Sequence, residues 1–124
     1  MRIGIDAYPL LLRSAGVKNY LFHWIDHMMR APGGHRIDAF PWLPDLGPLV
    51  HEGSTLGPLA TYPRLALLFF LNLPGNPSVD WLTSHFDVFH LTNQIRKRPR
   101  HARVTATLHD LTCWIMPEVH TTGN

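Results

Sequence analysis

The sequence predicts a layered α/β fold with a mainly parallel sheet, and three observations carry that expectation. Short apolar stretches at 2–6, 36–42, 87–91 and 103–108 have the length and composition of strands. Two segments between them repeat apolar residues at helical spacing or are apolar throughout. Strands separated by helices build parallel sheets. The composition agrees: 124 residues, 45% hydrophobic and 16% charged, make one domain of ordinary globular character, which excludes disordered and fibrous classes.

Residues 2–6 open as a strand with Ile3 and Ile5 on one face. No basic region leads into a long apolar core as in a signal peptide, so a cytoplasmic location is expected. After a polar, Pro-containing loop, a helix is predicted from Gly16. Val17, Tyr20, Leu21, Trp24, Ile25 and Met28 fall on one face, and Lys18, Asn19, His23, Asp26, His27 and Arg30 on the other. Pro32-Gly33-Gly34 stops it. A strand at 36–42 follows, then a Pro/Gly-rich connection over 44–58 of the kind often used for binding.

A second helix is expected from Thr61, with Pro63 in its first turn, ending before Pro74-Gly75. Its apolar residues lie all round, which predicts burial or docking against a partner. Its apolar run at 65–73 is far short of the ~20 residues that span a bilayer. Residues 87–91 and 103–108 complete the strands; the last alternates poorly, as a buried parallel strand does.

The chain carries a formal charge of +2, nine His and one cysteine, Cys113. One cysteine excludes an internal disulfide and zinc sites that need two thiolates, in keeping with a reducing compartment. Arg96, Lys97, Arg98, Arg100 and Arg103 concentrate five of the eleven basic residues between two strands. With no aromatic interleaved to stack bases, the run reads first as a solvated loop, then as an attraction for anionic lipid, and last as a nucleic-acid site. His23 and His27 face one another at i, i+4, but on the solvent face and with Asp26 in place of a longer acid, so no metal site is expected.

Ligands of parallel sheets gather at the carboxyl ends of the strands. The first connection lacks G-x-G-x-x-G, which disfavours a nicotinamide dehydrogenase. It offers instead Ser14-Ala15-Gly16-Val17 at a helix start, where backbone N–H groups and the helix dipole suit a phosphate; the plainer alternative is a Ser cap beside a packing glycine. His109-Asp110 follows one strand and His90 ends another, with Asn93 beyond it, and all are placed to touch a substrate.

Read together, Ile3-Gly4-Ile5-Asp6-Ala7, Gly16-Val17-Lys18-Asn19-Tyr20, Asp87-Val88-Phe89-His90, Thr107-Leu108-His109-Asp110-Leu111 and Pro117-Glu118 resemble the N-terminal domain of glycosyltransferase family four. The resemblance runs in order over nearly the whole chain. It implies the incomplete, Rossmann-like, acceptor-side domain of a GT-B enzyme that moves a sugar from a nucleotide-sugar donor, with retention and without a metal or cofactor, to a saccharide or lipid-linked acceptor. It further implies that Gly16 and Ala15 approach the donor diphosphate and that His109 contacts the donor sugar near the reaction centre. Lys18 departs from the family, which commonly has a second small residue there.

The family's C-terminal donor-binding domain and its E-x-x-x-x-x-x-x-E pair have no match here, so the chain alone is expected to be inactive. It is also expected to self-associate through an uncovered edge strand or the 65–73 face, to have peripheral contact with the inner membrane face, and not to bind nucleic acid. The alternative is a non-catalytic α/β module that binds a phosphorylated ligand or dimerises through its second helix.

Overall fold

The computed structural model describes residues 1–92, 94–109, 115, 116 and 118. Strands β1 (Arg2–Asp6), β2 (Arg36–Phe40), β3 (Val88–Leu91) and β4 (Arg103–Ala106) form one four-stranded sheet in the order β2-β1-β3-β4, with every pairing parallel. Helix α1 (Gly16–Arg30) connects β1 to β2, and α2 (Pro58–Leu71) and α3 (Ser78–Thr83) connect β2 to β3. The layered α/β expectation therefore holds in the form of an all-parallel sheet with helices.

Register follows from burial. Ile5 and Phe89 are fully buried, and Ala39 and Phe40 nearly so, which places the apolar centre of the sheet on β1, the end of β2 and β3. Gly4 is needed for this packing, because a Cβ there would lie 2.7 Å from the Phe89 ring and 2.8 Å from that of Phe86.

Several local expectations are corrected. The connection after β1, read as a polar loop, folds as a 3-10 turn over Tyr8–Leu11 with all four residues buried. Strand β2 stops at Phe40, because Pro41 has no N–H to give the ladder and Trp42, with a φ of 51°, leaves the extended region. Helix α2 begins at Pro58 rather than Thr61, because proline's fixed φ suits the first turn; Pro63 consequently lies inside the helix and not in its first turn, where it removes an intrahelical donor and crowds the preceding turn. Helix α3 was not anticipated at all. Strand β4, expected to be buried, lies at the edge of the sheet, and Arg103, Thr105 and Ala106 are exposed.

Lys18 is the largest departure in α1. Expected on the solvent face, it is fully buried, because it lies three and seven positions before Leu21 and Ile25 and shares their face. Its ammonium donates to the carbonyls of Val50, at 2.9 Å, and Gly53. Burial lowers its pKa from the ordinary lysine value. The residue thus pins the 44–57 connection over the start of α1, where Ser14 N–H also bonds the His51 carbonyl and Thr55 N–H that of Leu10. Lys18→Ala strands both carbonyls and is expected to cost about 2–4 kcal/mol. Amide exchange should show Ser14 and Thr55 losing protection in the variant, and unchanged protection there would refute the pinning role.

Candidate functional site at the carboxyl edge of the sheet

From β1 the chain crosses to β2 on one side and returns to β3 on the other, so the strand order reverses between β1 and β3. Crevices at such reversals hold the ligands of open α/β sheets. Asp6 ends β1 at this point, fully buried. One of its carboxylate oxygens accepts from Tyr8 N–H at 3.2 Å; the other accepts from the Thr92 hydroxyl at 2.7 Å and Ile95 N–H at 3.3 Å. Burial raises its pKa, and the bonds from Thr92, Tyr8 and Ile95 only partly oppose that. The crevice between β1 and β3 is thereby closed by protein groups. Asp6 was not singled out in the sequence as a site residue; a buried carboxylate is set by partners 86 and 89 positions away, which local pattern does not show.

At the start of α1 the cap position is Ala15, and among the described residues no side chain bonds the first N–H groups. Ser14, weighed as the cap, lies outside the helix. A Cβ added to Gly16 would meet nothing within 4 Å, so protein packing does not require a glycine there.

His109 is exposed, and its ring packs edge-on against Tyr20, with centroids 5.3 Å apart and planes at 80°. Tyr20 lies one turn beyond Gly16 on the same face of α1. It stacks on Trp24 at 6.0 Å and 10°, and Trp24 meets His90 edge-on at 4.8 Å. An aromatic row along α1 thus carries His109 at one end and His90 at the other.

His90 is buried and has a hydroxyl on each ring nitrogen: Thr105 on Nδ1 at 2.9 Å and Thr107 on Nε2 at 3.0 Å. One nitrogen donates and the other accepts. Burial first, and the neighbouring His109 second, push its pKa below the ordinary histidine value, which keeps it neutral. With both nitrogens engaged, it orients the strand end that leads to His109.

The structure places Ala15 and Gly16 at the start of α1, His109 against Tyr20 one turn on, and His90 against Trp24 a further turn along; Asn93 and Asp110 lie outside the described residues. His23 and His27 are exposed on α1. Among the described residues, no group of three His, Cys, Asp or Glu could hold a metal ion, and no helix is long and apolar enough to cross a membrane. Comparisons of the chain with protein-family models, with curated proteins and with solved structures find no match.

Proposed function

We propose that the chain forms the acceptor-side wall of a retaining, GT-B-type glycosyltransferase that uses a nucleotide-sugar donor. One observation carries the reading: an uncapped helix start with open space at Gly16, at the carboxyl edge of a parallel sheet, with His109 held one turn away by Tyr20. A diphosphate suits the free N–H groups and the positive end of the helix dipole. An imidazole nearby can donate to a sugar hydroxyl as charge develops.

The order of motifs in the sequence supports assignment of these parts to glycosyltransferase family four. Sugar transfer builds positive charge on the sugar and negative charge on the departing diphosphate, and both must be met in a closed, water-poor cleft. The only glutamates, Glu52 and Glu118, do not form the family's acidic pair, so the opposite wall must come from a second domain.

The 124-residue chain alone is therefore expected to bind nucleotide sugar no tighter than about millimolar, worth ~4 kcal/mol, and to transfer nothing. Calorimetry with nucleotide sugars checks this. Micromolar binding without transfer would instead support a non-catalytic phosphoryl-ligand module, and transfer by the chain alone would overturn the division of labour between two walls.

A further inference from the structure

We infer that the outer face of α2 docks on an anionic lipid bilayer, lying in its surface without crossing it; the inference does not depend on the sugar-transfer reading. The helix is apolar in two directions. Leu71 is fully buried, and Leu65, Leu67 and Leu68 pack on the core. Opposite them, Leu59, Tyr62, Phe69 and Phe70 are 94%, 70%, 73% and 48% exposed, and Ala66 is exposed too. At ~100° per residue these five fall within an arc of about 100°, a continuous stripe about 17 Å long. The one charged residue of α2, Arg64, donates to the carbonyls of Pro41, Ala60 and Trp42. The stripe itself carries no charge, and Tyr62 provides its single hydroxyl.

Cations begin where the stripe ends. Arg96 N–H donates to the Asn72 side chain, Asn72 donates to the Gln94 carbonyl, and the Lys97 ammonium donates to the carbonyls of Leu73 and Asn76. These bonds hold the basic segment against the last turn of α2 and leave Arg96 and Arg98 exposed. Between helix and segment lies a cavity of about 600 Å³, walled by Leu65, Leu68, Phe69, Leu73 and Pro74, with Arg96 also lining it.

Among the described residues, acids near this segment are few. Asp80 is the only one between Glu52 and Asp87, and it is taken by Arg100 through its backbone N–H at 2.8 Å and its guanidinium at 3.7 Å. An uncharged aromatic and aliphatic stripe, an adjoining cavity lined by leucines, and the exposed Arg96 and Arg98 beside it match one occupant in both halves of its chemistry: acyl chains bordered by phosphates. An acidic protein groove would satisfy the cations alone.

The test is co-sedimentation of the chain with vesicles of phosphatidylcholine, with and without phosphatidylglycerol, across a salt series. Binding is expected on the phosphatidylglycerol vesicles, at least tenfold stronger than on phosphatidylcholine alone and weakening with salt. The double variant Arg96→Glu, Arg98→Glu should lose at least tenfold, because each cation near an anionic surface is worth roughly fivefold. Phe69→Ser with Phe70→Ser should lose binding on the same vesicles. Both positions are exposed, so melting temperature should be unchanged and misfolding is checked directly.

Equal binding to the two vesicle types, or none to either, overturns the inference. So does a result in which the Phe variants dissociate a dimer in sedimentation equilibrium and leave vesicle binding intact, which would assign the stripe to a second copy of the chain.

Discussion

Replacing Asp6 with alanine is expected to lower the unfolding free energy by about 4 kcal/mol. The carboxylate is the acceptor for Tyr8 N–H, Ile95 N–H and the Thr92 hydroxyl, and it lies in the fully buried joint between the ends of β1 and β3. The hydroxyl can turn to another acceptor, but two buried amide donors cannot, and each stranded donor costs about 1–3 kcal/mol. Loss of the packed side chain adds to this. Against a total of about 5–15 kcal/mol for a domain, the variant should melt more than ~10 °C lower.

The pH dependence gives a second, independent reading. The folded state holds the Asp6 proton more tightly than the unfolded chain, whose value is near 3.8. Its contribution to stability is therefore fully present below that value and is lost as pH rises through the folded value. Asp38 behaves oppositely: burial pushes its carboxyl up, but hydrogen bonds from Arg2 and Arg36 outweigh this, so its contribution is lost as pH falls. Comparison with Asp6→Asn isolates the first group. Wild type should lose stability relative to Asp6→Asn in chemical denaturation as pH rises above the unfolded value near 3.8. A constant difference over that range would show that Asp6 does not bind its proton more tightly when folded.

His109→Ala is expected to lower turnover of the intact sugar-transferring enzyme by ~10²-fold or more, with the fold unchanged. His109 is exposed and packs edge-on against Tyr20, itself at the surface, so truncation should not disturb the core. A contact strengthened only in the transition state is worth about 2.7–4 kcal/mol, which sets the size of the loss. The effect should fall on kcat and kcat/KM together, since a ground-state contact would raise KM alone. His23→Ala and His27→Ala, both exposed on α1, should leave both constants within about twofold. Unchanged turnover in a variant whose circular dichroism matches wild type would remove His109 from the site and, with it, the main support for the sugar-transfer proposal.

What the sequence by itself determined is what repeats locally. The 3.6-residue spacing of Leu21, Ile25 and their neighbours, bounded by Pro32-Gly33-Gly34, specifies α1 from Gly16 to Arg30. Runs such as Val88–Leu91 read as strands because β-branched and aromatic residues fit a pleated surface. Placement of Gly16 and His109 at helix and strand ends follows from those elements, so the candidate site was legible as two points on the chain.

Tertiary structure alone decided which points meet and what surrounds them. Lys18 shares the face of Leu21 and Ile25, three and seven positions on, and what makes a cation tolerable there is the pair of carbonyls from Val50 and Gly53, more than thirty positions away, that accept from its ammonium. Asp6 ends a strand like any polar residue until Thr92 and Ile95 arrive across the sheet. Strand β4 has the composition of a buried strand but occupies an edge, because strand order is fixed by crossover connections and not by the strand's own residues. The physical reason is common to all three. Periodicity reports which way a side chain points relative to its own backbone, whereas burial, charge state and pairing depend on distant segments that bring partners to it.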